Sequence, residues 1–409
     1  MLLLTSAVVF VDTLFFAVLT PLLPHYAHAL GLGKAGAGVL SAAYPLGALA
    51  GAIPSGIVAA RFGVKRTVLV GLAGVAVTTG LLGVAQSVWQ LDLARFAQGL
   101  ASSFSWTGSL AWLVAGAPEA RKGRLIGQAF AAAVAGALLG PVLGGVATLA
   151  GTDWTFGAVA AASLGLVVWA LLTPASRPLR PQPLGVLAAA LRDRRVLLSV
   201  WFVVLPALLF GVLAVLGPLR LSTLGVGALG IGAVWFTAGA LEAVNNLAIG
   251  RLADRFGPLA PIRVALIATV VATMLLPWPQ NRYVLAAVIV LSALAFGAFY
   301  TPGMTLLTHA AEDRGLDYGY AFALLNLAWA PGQSGGAAIG GAIAEATSDA
   351  VPYLALSGLA LVSLIALQRS RALRRLRQRE PGAPAGTELG LEREASRSRS
   401  RPERQRTAS

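Results

Sequence analysis

The chain has 409 residues, 57% hydrophobic and only 12% charged, with a mean hydropathy of +0.75; a soluble domain carries about a quarter charged residues, so the composition excludes a soluble globular protein and reads as a membrane protein. Cysteine is absent, which excludes a disulfide framework, a thiolate metal site and a cysteine nucleophile. The net charge of +14 is confined to short loops between apolar runs and to the C-terminal tail, a topology signal and not a nucleic-acid-binding surface.

Runs long enough to cross roughly 30 Å of hydrocarbon fall at about 2–24, 37–60, 67–86, 89–114, 125–150 and 153–173. A second set falls at about 196–218, 228–250, 261–279, 282–309, 319–344 and 350–368. The first run competes with a signal peptide, Ala27-His28-Ala29 resembling a cleavage triplet. No basic residue precedes it and Pro21 and Pro24 interrupt its end, so it reads as a span. The predicted fold is all-α, with twelve transmembrane helices in two six-helix bundles. Its domains are an N-terminal bundle (1–173), a proline- and arginine-rich cytoplasmic linker (174–195), a C-terminal bundle (196–368) and a basic, disordered tail (369–409).

Alternate loops hold 15 basic residues against 3 on the opposite side, which puts both termini in the cytoplasm of a multi-pass cell-membrane protein. The tail adds twelve arginines, and its first part reads as a basic helix lying on anionic lipid.

Span five, from Gly127 to Gly145, carries no charge and one proline, Pro141. Helical stepping groups Gly136, Gly140 and Gly144 on one face and sets Gly127 nearly opposite. Small residues of this kind let neighbouring helices approach closely in lipid. The two halves repeat. Gly56-x4-Arg61-Phe62-Gly63 matches Gly250-x4-Arg255-Phe256-Gly257 at an offset of 194. Glu119-Ala-Arg121 matches Glu312-Asp-Arg314 at 193, and Gly136, Gly140, Gly144 and Gly145 match Gly332, Gly336, Gly340 and Gly341 at 196.

This layout resembles the major facilitator superfamily over residues 1–368. The loop signature Gly-x3-Asp-Arg-x-Gly is complete at Gly250, Asp254, Arg255 and Gly257, whereas Ala60 replaces the acid beside Arg61 and Gly63. Gly127-x8-Gly136-x3-Gly140-Pro141-x2-Gly144-Gly145 is similar to the antiporter motif of the drug:proton antiporter branch. Leu91-x3-Arg95-x2-Gln98-Gly99 is similar to that branch's span-four motif, and Asp12 ahead of Pro21 and Pro24 is similar to the first span of many twelve-span exporters. The resemblance implies alternating access, a span-four arginine associated with proton transfer, span five at the seam between bundles, and loops that latch the cytoplasmic side.

Charges inside a membrane are costly and mark pathways. Asp12, Arg95 and Glu242 are the three that stand out, with Gln98, Asn245 and Asn246 as polar neighbours. A carboxylate in a poorly hydrated cavity holds a proton more readily, so Asp12 or Glu242 is the expected proton carrier and the other a substrate-binding group. Three readings of Arg95 stand side by side: it meets Asp12, pairs with Asp92, or caps backbone carbonyls. Glu242, Asn245 and Asn246 also fit an interhelical hydrogen-bonding cluster. Phe15, Phe16, Tyr44, Trp106, Trp112, Trp235, Phe236 and Trp329 are candidates to line an apolar cavity for lipophilic cations, or to pack and face lipid. His309 and Glu345 lie near span ends and receive no role.

The expected function is proton-coupled efflux of small lipophilic or cationic compounds by a monomer that uses no metal or other cofactor, since no phosphate-binding loop or metal cluster is apparent. Its partners are the small-molecule substrate, protons and the bilayer, with no nucleic acid. The alternatives are a proton symporter for a nutrient or organic acid, and a non-transporting membrane sensor; an enzyme is disfavoured for want of a nucleophile–base pair.

Overall fold

Proline and glycine decide where the apolar runs of this chain bend, break and stop. The computed structural model describes residues 1–118, 121–175, 183–316 and 318–369; Glu119, residues 176–182 of the expected linker and the tail beyond Arg369 lie outside them. Helices α1 (Leu2–Leu30), α2 (Lys34–Phe62), α3 (Val64–Val84), α4 (Val88–Ala115), α5 (Lys122–Ala150) and α6 (Thr152–Leu172) make the first six crossings. A short α7 (Leu184–Ala190) stands within the segment read as linker. The second six are α8 (Arg194–Thr223), α9 (Ala228–Phe256), α10 (Leu259–Leu275), α11 (Arg282–Gly297) with α12 (Tyr300–Glu312), α13 (Tyr318–Ala346) and α14 (Ala350–Arg369). Among the described residues nine of these crossings, α11 and α12 counted together as one, are long and apolar enough to span. The other three are α4, which carries Asp92, Arg95 and a run of serines, the 17-residue α10, and the glycine-rich α13.

Two boundaries correct the sequence expectation. α1 continues through Pro21 and Pro24 to Leu30 and ends at Gly31 (φ 64°), whose left-handed conformation favours glycine. The tenth crossing is not continuous, because residues 298–299 form a turn between α11 and α12. Pro302 explains the position. It has no N–H for the carbonyl four residues back, Ala298, and its ring crowds that carbonyl.

Met1–Leu364 forms one compact unit. In its first half α1 packs along α5, and in its second α8 packs along α13. Across the halves α2 packs along α13 and α5 along α9, giving two seams. α4 is buried between α2 and α3 because glycines let backbones touch: a Cβ on Gly51 would meet Leu100 O at 2.9 Å and one on Gly108 would meet Val68 N at 2.9 Å. Such close approach is the means by which membrane helices associate without a hydrophobic driving force. It also buries the α4 hydroxyls, which are bonded as buried polar groups must be. Ser103 donates to Ala48 O at 2.7 Å and Ser55 to Thr107 at 3.1 Å.

Candidate functional site

A cavity of about 300 Å³ lies between the halves, lined from α1, α2, α4, α5, α12 and α13. That is the lower end of the size range for small-molecule sites. Six aromatic rings line it: Phe16, Tyr44, Trp106, Phe130, Tyr300 and Trp329. Phe16 packs against the Tyr44 ring at 5.4 Å and edge-on to Trp329 at 5.2 Å, so one ring contacts both halves. The polar atoms on the wall come from Asp12, Thr13, Ser102, Ser103 and Asn326 with the two tyrosines. Asp12 is the acidic residue of this wall, and no basic residue lines it.

The Asp12 carboxylate is fixed by hydroxyls. Ser102 donates to Oδ2 at 2.6 Å, and Ser105 Oγ, 2.9 Å from Ser102 O and 3.2 Å from Asp12 Oδ1, shares its one proton between the two. Tyr44 has one proton to give. Its hydroxyl lies 2.7 Å from Ser102 Oγ and 3.5 Å from Asp12 Oδ2, so the short bond to Ser102 takes it. The chain Tyr44–Ser102–Asp12 therefore runs through two short donor–acceptor steps. Asp12 is only 5% exposed, and among the described residues it has no cation within ion-pair distance.

Arg95 does not meet Asp12, nor does it pair with Asp92, whose buried Oδ1 has no partner. It caps backbone carbonyls instead: Nη1 donates to Phe15 O at 3.0 Å and Nη2 to Phe16 O at 3.4 Å. Nη1 also donates to Gln98 Oε1 at 2.8 Å, and Gln98 Nε2 donates to Thr79 Oγ1 at 2.9 Å. Tyr44 explains the separation. The Arg95 guanidinium sits 4.9 Å from the centre of its ring, a cation–π contact, while the hydroxyl end turns to Ser102. The tyrosine thus stands between the two charges. Arg95 and Gln98 do not line the cavity.

Glu242 is also away from its wall. It lies at the middle of α9 and packs its carboxyl group against Gly297, the last residue of α11. On the next turn Asn245 Nδ2 donates to Leu294 O at 3.4 Å, and Asn246 Oδ1 accepts from Thr301 Oγ1 at 3.3 Å. The interhelical-cluster reading describes the two asparagines.

A family model described as Major Facilitator Superfamily matches residues 5–333 and, overlapping it, 246–402. The chain belongs to the major facilitator superfamily. The multidrug resistance protein MdtG of Salmonella paratyphi A is 27% identical over 389 residues, covering 88% of this chain and 93% of its own. The crystal structure of the nucleoside transporter NupG superposes with a TM-score of 0.71 at 16% identity, over 90% of this chain and 98% of that one. That of a D-xylose–proton symporter gives 0.72 at 15%, over 90% and 96%. The two structures establish the fold: twelve transmembrane helices in two pseudo-symmetric bundles, the frame of a superfamily of transporters.

Within that frame the span-five motif divides its work between two faces. A Cβ on Gly136 would collide with Phe10 O and Thr13, one on Gly140 would lie 2.6 Å from Leu14 O, and one on Gly144 would collide with Val18 O. All three glycines face α1 inside the first bundle. Gly145 faces α9 across the seam, where a Cβ on it would lie 3.0 Å from Leu229 Cα, and the Pro141 carbonyl faces Gly232 of the same helix. Gly127 has open space around it.

The superfamily's loop signatures shape turns here. Gly63 (φ 90°) and Gly257 (φ 78°) end α2 and α9 in a conformation that other residues resist. A Cβ on Gly56 would meet nothing within 4 Å and one on Gly250 only the Thr301 methyl at 3.9 Å. Arg61, Asp254 and Arg255 are exposed, and among the described residues Asp254 makes no ion pair.

Cross-half ion pairing is found at the opposite end, around a residue given no role from sequence. Glu345 of α13 accepts from Ala35 N at 2.7 Å, and Lys34 pairs with Asp349 at 2.5 Å. Of the aromatic candidates, Phe16, Tyr44, Trp106 and Trp329 reach the cavity. Phe15 and Trp112 are core residues, Trp235 packs against Gly217, and Phe236 is exposed. Asn326 and Tyr300 were missed. A polar side chain in an otherwise apolar run, and a tyrosine two residues before a helix-breaking proline, were the available signals.

Proposed function

We propose that this protein exports small lipophilic cations in exchange for protons, with Asp12 as the group that the two ligands share. The observation that carries the reading is Asp12 itself: a carboxylate on a cavity lined by aromatic rings, held by hydroxyls and lacking a basic partner. An unpaired buried charge is costly, and either a proton or a cationic substrate removes the cost. Only one can do so at a time, which is the requirement for exchange. Aromatic faces add cation–π attraction for the substrate. The relationship to a protein named for multidrug resistance supports export, at 27% identity.

The basic loops put the termini inside, and the glycine seams then lie towards the outside. The conformation is inward-facing on this reading, with the cavity on the cytoplasmic side of the closed seams. Rocking of the two bundles, each moving largely as a body, exposes Asp12 to the other side. The transporter acts as a monomer.

The test is an accumulation screen in an efflux-deficient host across dyes, amines and antibiotics, with and without a protonophore. Wild-type cells are expected to hold less of a lipophilic cation, the protonophore to erase the difference, and Asp12→Asn to behave like the empty host despite normal membrane levels. Asp12→Asn that still exports under a proton gradient would sink the proposal. Substrate-induced proton movement in oriented vesicles in the direction of symport would instead make the protein an importer.

A further inference from the structure

Glu242 and the broken tenth crossing form a second polar centre that the cavity does not use. Three features combine there. The Glu242 carboxyl group lies against Gly297, at the C-terminal end of α11. That end carries the negative pole of the helix dipole, which attracts cations and repels carboxylates. Among the described residues no cation pairs with Glu242.

The break also frees a carbonyl oxygen. Ala298 O would bond the nitrogen of Pro302, which has no hydrogen. No backbone hydrogen bond to Ala298 O is formed among the described residues, the α12 pattern resuming with Gly303 N to Phe299 O at 2.8 Å. Thr301 Oγ1 and Asn246 Oδ1 adjoin the break, bonded to each other at 3.3 Å. The centre therefore combines a carboxylate, a helix C-terminus, a free carbonyl, a hydroxyl and an amide oxygen, with nothing positive among them. Hard oxygen donors suit hard cations, and broken helices at mid-membrane are where transporters bind coupling ions.

We propose that Glu242, the carbonyl freed at Ala298 and the Asn246–Thr301 pair bind a small alkali-metal cation, sodium, at a site separate from the substrate cavity. Tyr300 connects the two. It is the first residue of α12, lies within electrostatic reach of Glu242, bonds Trp329 and forms part of the cavity wall. Occupation of the ion site would thus be felt at the Trp329–Phe16 edge contact. The proposal does not depend on the direction of transport or on Asp12.

The experiment measures binding directly. Purified full-length protein is titrated with sodium chloride against choline chloride at constant ionic strength, reading melting temperature and bound sodium-22. The expected result is a saturable, sodium-specific rise in melting temperature with one ion bound per chain. Glu242→Gln should abolish both, whereas Asp92→Asn, a membrane acid elsewhere, should retain them. If Glu242→Gln does not fold, Thr301→Val keeps the side-chain volume and should weaken binding about tenfold. The proposal is overturned by no sodium-specific response in the wild type, by a response only to acidification, or by unchanged sodium affinity in Glu242→Gln or Thr301→Val.

Discussion

The two seams between the halves are built on one plan and finished differently. In the α2–α13 seam a Cβ on Gly38 would lie 2.5 Å from Ala337 O; in the α5–α9 seam a Cβ on Gly232 would lie 2.5 Å from Pro141 O. Gly341 meets the Lys34 backbone as Gly145 meets Leu229. These positions are related by the offsets of 194 and 196 that relate the halves. Charge breaks the symmetry. Lys34, Glu345 and Asp349 tie the α2–α13 seam, Glu345 supplying from the other half the side-chain cap that Gly33 cannot give to the N-terminus of α2. Their counterparts are Ala228, the exposed Leu149 and Asp153 of α6. The common geometry teaches that glycine sets how closely the halves approach. The difference teaches that, among the described residues, the α2–α13 seam carries an ion pair that solvent can weaken and the α5–α9 seam does not.

The largest effect tests the shared plan. Gly38→Leu and Gly232→Leu each force a side chain into a backbone carbonyl, and overpacking of this kind costs about 1–3 kcal/mol. Both are expected to lose transport and to spread spin-label pairs placed across the mutated seam. A wild-type distance distribution in either variant would show that the seam is not a close contact. Next comes the asymmetry. Lys34→Ala and Glu345→Gln should increase accessibility of cysteines introduced at the Lys34 end of the α2–α13 seam, as should high salt in the wild type. The Lys34–Asp349 pair is half-exposed, so its loss is worth about 0–1 kcal/mol, up to roughly a fivefold population change; the cap adds about 0.5–2 kcal/mol. The equivalent probe on the α5–α9 seam should not respond to salt. The smallest effect is at Gly127, in open space away from both seams. Gly127→Ala should leave transport unchanged and stabilise the helix by at most about 1 kcal/mol, read as melting temperature.

The sequence by itself determined the architecture, because its signals are local or periodic. Apolar run length sets the crossings, and glycine at fixed offsets exposes the duplication. Gly136, Gly140 and Gly144 share a face by helical stepping alone. Intramembrane charges declared themselves at Asp12, Arg95 and Glu242 by their cost. Even the break in the tenth crossing was legible in principle at Pro302, within a run long enough to be taken as one helix.

Partnership was decided only by the tertiary structure, since it depends on how helices distant in sequence are rotated against one another. Depth along the bilayer put Asp12 and Arg95 within reach, but depth does not fix azimuth, and Tyr44 of α2 turns its ring to one and its hydroxyl towards the other. Glu242 has the depth of a cavity residue and faces α11 instead. Glu345, unremarkable at the end of a span, becomes the cap of a helix some 310 residues away in sequence. A membrane helix reveals its composition in one dimension, while its chemistry depends on which few side chains the packing of backbones brings to the same side.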